Sequence, residues 1–220
     1  MQSLAGFAAI AHDHRVRRSF PTRGGWAAAT VAGVIWLLVW AHQARAHGTT
    51  QLNEKELVLG LTWMDSAKLL VIPFALLVPA VAALRARRRG PGRLGLAGFA
   101  LTCAALAALI VGVALEFWTF PWGSYAEDFD GPLPTYGGLV QTLASLALTV
   151  GVALLAFDLV RNKQLPIWVG IVLVVGAATT IYLTPVLVVP GLAWLMLGAY
   201  LWWAGRPRLG GLPVSPAADP

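Results

Sequence analysis

Cysteine occurs once, at Cys103, in a chain of 220 residues, so no disulfide can close within it and no dithiol pair can cycle. That excludes the thiol oxidoreductases of the membrane. Charge is scarce too: Asp, Glu, Lys and Arg make up 12% of the residues against 58% hydrophobic, a balance far from that of a soluble domain. Histidine is confined to His12, His14, His42 and His47, none of them deep in an apolar run, which removes bis-histidine haem ligation inside a helical bundle. There is no H-E-x-x-H, no G-x-x-x-x-G-K-[ST] and no intramembrane Ser/His pair. A catalytic reading therefore has no motif behind it, and no cofactor is expected.

What the chain does have is apolar runs, at residues 26–44, 66–84, 94–115, 138–157, 166–184 and 188–204. Each is near the roughly 20-residue length that crosses a bilayer as a helix. All 16 Lys and Arg residues except Arg45, Lys55 and Lys68 fall in the first tail, the second and fourth connections and the last tail. This is the positive-inside pattern. The acids lean the other way, with Glu54, Glu56, Asp65, Glu116, Glu127, Asp128 and Asp130 opposite Asp13, Asp158 and Asp219. The expected fold is an all-α integral membrane protein, a six-transmembrane-helix bundle of three helical hairpins with both termini in the cytoplasm.

Residues 1–25 read as a cytoplasmic tail, 26–204 as the membrane domain and the Pro- and Gly-rich 205–220 as a disordered tail. Two readings of the beginning stay open. A basic stretch, an apolar core and Ala44-Arg45-Ala46 fit a cleaved export signal, whereas the spanning length of the core favours an uncleaved first helix. The net charge of +6 resides in short clusters beside apolar runs, such as Arg85, Arg87, Arg88, Arg89 and Arg93. Such clusters set topology and touch anionic headgroups, so the bilayer is the expected partner and nucleic acid is not. Arg in preference to Lys, with abundant Ala, Gly, Val and Leu, points to a GC-rich bacterial genome and a multi-pass plasma-membrane protein.

Within the runs, Pro73 and Pro79 predict an irregular second span, because proline removes a backbone donor and collides with the preceding turn. Ala100, Ala104, Ala108 and Gly112 recur at i+4 and form a small-residue stripe; Gln141, Ser145 and Thr149 recur likewise in the fourth run. Small surfaces and interhelical hydrogen bonds drive helix association in lipid, so these two stripes are expected to pack against each other.

Candidate chemistry gathers on the acidic side. Asp65 and Lys68, at i and i+3, share a helical face, and Glu116 ends the third run at a similar depth. Ionisable groups near a span are costly and are paired or exposed to a cavity. The three are expected to converge, either as an ion-pair cluster or as a ligand or charge-relay site. Trp118, Trp122 and Tyr125 follow, either as an interfacial aromatic belt or as the walls of an outward-facing pocket. His42 and His47, five apart, do not make a recognised metal-ligand spacing, and no metal site is assigned. The leading expectation is a small permease or solute-binding membrane protein. The alternatives are a non-catalytic accessory or assembly subunit that docks an exported or membrane protein, and a lipid-modifying enzyme with an external carboxylate site.

Overall fold

The second apolar stretch begins earlier than its hydropathy suggests, because Thr62 and Asp65 cap it reciprocally. The Thr62 hydroxyl accepts from Asp65 N at 3.1 Å, and the Asp65 carboxylate accepts from Thr62 N at 3.1 Å, a capping box that satisfies two otherwise orphaned donors. In the structure, a computed structural model, residues 24–44, 61–87, 92–123, 131–181 and 188–205 are described. They form α1 (Gly24–Ala44), α2 (Trp63–Lys68), α3 (Val71–Ala86) and α4 (Arg93–Val113). A π-helical turn (Ala114–Trp118), α5 (Pro132–Arg161), α6 (Ile167–Ala178), a short 3-10 turn (Thr179–Ile181) and α7 (Val188–Ala204) follow. Among the described residues there is no strand.

Among the described residues four stretches are long and apolar enough to cross a membrane: Gly24–Ala44, Trp63–Ala86, Arg93–Trp118 and Pro132–Arg161. α6, with 12 residues, and α7, with 17, are apolar but shorter. At 1.5 Å per residue α6 alone reaches only about 18 Å, short of a hydrocarbon core of about 30 Å. The surface carries many large apolar side chains, among them Leu38, Leu96, Val111, Leu143, Phe157 and Ile171. So much exposed apolar area is stable against lipid and not against water.

Two helix starts differ from the sequence reading by three residues or more. The second run starts at Trp63 rather than Ser66 because of the Thr62 cap. The fourth starts at Pro132, six residues before the expected 138. Pro132 and Pro134 stand in the first turn of α5, where the missing N–H would have had no intrahelical partner, so proline begins the helix and does not break it.

Between α2 and α3 the helix tightens at Leu69–Leu70. Leu69 N donates to Ser66 O, Leu70 N to Ala67 O and Ile72 N to Leu69 O, all three-residue turns at 3.0 to 3.2 Å. Pro73, four residues after Leu69, has no N–H to offer that carbonyl and its ring crowds it. Pro79 lies inside α3 without ending it.

The core runs along the bundle axis through Trp36, Leu77, Leu106, Leu109, Leu148, Leu173 and Trp194. Trp36 meets Phe74 edge to face at 5.1 Å between ring centroids, joining α1 to α3. α4 and α5 form the most extensive helix pair. Glycine makes this possible: a Cβ on Gly98 would stand 2.6 Å from Leu155 N, and one on Gly137 would stand 2.6 Å from Glu116 N. Backbone meets backbone at both ends of the seam.

That seam is not the predicted alanine row. Ala100 and Ala104 are exposed and Ala108 is half-buried, so only Gly112 of the four is buried against α5. Residues four apart drift by about 40° per step on a helix of 3.6 residues per turn, so the row winds off the contact. Gly98 and Thr102 hold it instead, together with Gly112. On α5, Ser145 is buried, while Gln141 and Thr149 are half-buried.

At one end of the bundle, Tyr200 of α7 donates its hydroxyl to Gln164 O at 3.1 Å and lies under the Arg87 guanidinium, 5.3 Å from its ring centroid. The ends of α3, α5 and α7 therefore share one side. α2 and the turn after α4 share the other.

Candidate functional site

Lys68 is buried, with 2% of its surface exposed, and a buried ammonium must satisfy all three of its donors. It does so with Asp65 Oδ1 at 3.1 Å, Phe120 O at 3.1 Å and Pro121 O at 2.9 Å. The Trp122 ring covers the same nitrogen at 4.7 Å to its centroid. Asp65, equally buried, is held by the Thr62 and Gly123 amides as well as by Lys68. Gly123 has φ +84°, a left-handed conformation that suits glycine and turns its N–H back onto the carboxylate. Trp118 Nε1 completes the tie by donating to Lys68 O at 3.3 Å.

The pair therefore acts as a brace. It fastens residues 118–123 to the start of the second span and leaves neither charge a free valence for a solute. Trp118 and Trp122 meet edge to face at 6.4 Å and stay 56% and 57% exposed. They stand on the surface of the turn.

Of the three side chains expected to converge, Asp65 and Lys68 pair, while Glu116 takes its hydrogen bond from α5. The π-helical turn widens the end of α4 and changes its register. Phe117 thereby faces α2, packing edge to face on Trp63 at 5.8 Å, while Glu116 faces α5. There it is buried, with 7% of its surface exposed, against Gly137 and Gly138, and its carboxylate accepts a hydrogen bond from Gln141 Nε2. Among the described residues this is the one side-chain hydrogen bond that crosses the α4–α5 seam. Thr149 instead bonds back to Ser145 O at 2.8 Å, and Thr102 to Gly98 O at 2.7 Å.

The described cavities lie elsewhere. A groove of about 260 Å³ between α1 and the α2–α3 break is lined by Ile35, Leu38, Val39, His42, Leu61, Ser66, Leu69 and Ile72. His42 Nε2 is buried there without a hydrogen-bond partner. Among the described residues no group of three His, Cys, Asp or Glu side chains could hold a metal ion. Tyr125 and His47 lie outside the described residues.

Sequence reasoning missed three contributors. The Thr62 box was visible as T-x-x-D, a weaker variant of the usual S/T-x-x-E/Q signature. The Gln141 bond to Glu116 had only the polarity of Gln141 to announce it. The backbone carbonyls of Phe120 and Pro121 leave no trace in residue type. Comparison with known proteins gives no relative to set beside this arrangement: no family model, no curated protein and no solved structure matches the chain.

Proposed function

We propose that this chain is an accessory or assembly subunit of the bacterial plasma membrane, a six-span bundle with both termini inside, whose outer aromatic turn docks an exported protein. One observation carries the proposal. Two donors of Lys68 hold the turn at 118–123 and the third holds Asp65, which itself binds the Gly123 amide, while the two tryptophans of that turn are left more than half exposed. Burying an ion pair is costly and is better attested as a device for geometric specificity than as a source of stability. Here the specified geometry is that of Trp118 and Trp122, and exposed, rigidly mounted aromatic side chains are the residues that most often anchor protein interfaces. In sequence the turn is followed by the acids Glu127, Asp128 and Asp130, a charge pattern that suits a partner with a basic rim. In this reading α6 and α7 belong to the fifth and sixth spans, and the Arg-rich connection at 85–93 stays inside.

A photoreactive residue at position 122 tests the docking role in native membranes. A discrete adduct with an exported protein is expected, weakened by Lys68→Met; adducts with lipid alone would defeat it.

A second reading, a small permease or solute-binding membrane protein, is favoured by Glu116. A buried carboxyl in a helix seam near the membrane surface is the kind of group that binds or relays charge. Uptake that fails in Glu116→Gln and survives in Trp122→Ala would favour it over docking.

A further inference from the structure

We infer that Glu116 and Gln141 form a proton-exchanging carboxyl–amide site at the outer end of the α4–α5 seam. It rests on geometry alone and not on the docking role, so either can fail without the other. The site is built from both helices. Gly112 and Gly137 bring the backbones together, such that a Cβ on Gly137 would collide with Glu116 N and one on Gly112 would stand 2.6 Å from Gln141 Cγ. This closeness places the Glu116 carboxyl against Gly138 and the Gln141 amide and leaves it little freedom to swing away. The π-helical turn supplies the aim, because Glu116 lies at its centre, and such turns recur at functional positions.

Among the described residues no cation pairs with Glu116. On α5 its neighbours Gly137, Gly138 and Gln141 are uncharged, the phenol of Tyr136 at the same end is exposed, and the charged side chains of that helix, Asp158 and Arg161, belong to the opposite end. α4 contributes Arg93 at its far start and the half-buried thiol of Cys103 several turns away. α2 packs on the π-helical turn and carries Asp65 and Lys68, which are committed to each other and to the turn at 120–123. An ionised Glu116 would be a buried carboxylate with one amide and no cation, a costly arrangement. A carboxamide can answer both protonation states: its N–H donates to a carboxylate, and its oxygen accepts from a carboxylic acid after the amide turns over. Gln141 is therefore matched to a partner that gains and loses a proton, where a Lys or Arg would have fixed the charge.

A hydrophobic carbodiimide reads this directly. The acid form gives its proton to a carbodiimide nitrogen while a carboxyl oxygen bonds to the central carbon, and acyl transfer to nitrogen then yields a stable N-acylurea containing one reagent and one carboxyl. Dicyclohexylcarbodiimide is added to the full-length protein in lipid vesicles from about pH 5 to about pH 9, and modified peptides are mapped by mass spectrometry. The expected result is one adduct, on Glu116, that falls at least tenfold across that range, is absent in Glu116→Gln and changes its pH midpoint in Gln141→Leu. Asp65, paired within the same protein, should stay unlabelled. Should Glu116→Gln fail to insert, peptide mapping of the unaltered protein still decides. No adduct on Glu116 at any pH, or equal labelling by a water-soluble carbodiimide, would overturn the proposal.

Discussion

Replacing Lys68 with Met keeps the volume of the side chain and removes its charge, so the response isolates the brace. The buried Asp65 carboxylate would keep the Thr62 and Gly123 amides and lose its cation. Breaking a buried pair on one side costs about 3–5 kcal/mol, two to four orders of magnitude in the folding equilibrium at about 1.4 kcal/mol per decade. The freed carbonyls of Phe120 and Pro121 add less: Pro121 is exposed and Phe120 half-buried, so water can reach the turn once it lifts. Most of the loss therefore belongs to Asp65. It follows that Asp65→Asn combined with Lys68→Met should be more stable than Lys68→Met alone, with a coupling on the order of 1–3 kcal/mol. Reversible unfolding in mixed detergent micelles measures all four corners of that cycle. A loss below about 1 kcal/mol for Lys68→Met, the range of an exposed pair, would refute the brace. Additive effects of the two substitutions would refute it equally.

Gly137→Leu should separate α4 from α5 and cost about 1–3 kcal/mol or more through overpacking, seen in the same unfolding assay, since even a Cβ there would meet Glu116 N. Ala104→Leu, on the exposed row, should change stability by less than about 0.5 kcal/mol. Thr62→Ala removes one half of the capping box and should cost about 1 kcal/mol, with faster hydrogen exchange at Trp63 to Asp65 as its local sign. Trp122→Ala uncovers the Lys68 ammonium and should destabilise by about 0.5–1 kcal/mol, the value of a cation–π contact at an exposed ring.

The helical class and the membrane setting were legible because long apolar runs have few physical alternatives. Four of the expected spans return as helices of sufficient length. The ends were harder to read, because they depend on hydrogen bonds that hydropathy does not register: Thr62 and Asp65 advance one start, and prolines in the first turn advance another. Asp65 and Lys68 met as their i, i+3 spacing implies. Glu116 did not meet them, because the expectation assumed a regular α-helix and a π-helical turn changes which residue faces α2. The alanine row failed for a related reason. An i+4 series looks straight in sequence but winds around the helix, and the contact with α5 belongs to Gly98, Thr102 and Gly112.

Everything proposed for the aromatic turn depends on its standing outside the cell, and the lone Cys103 makes that measurable. In a Cys103→Ser background, Trp122→Cys provides a single thiol at a surface position. Intact cells treated with a membrane-impermeant maleimide should label it without lysis, while a cysteine introduced at Arg87, at the opposite end of the bundle, should label only after lysis. Labelling of position 122 only after lysis would place the turn inside and contradict the account.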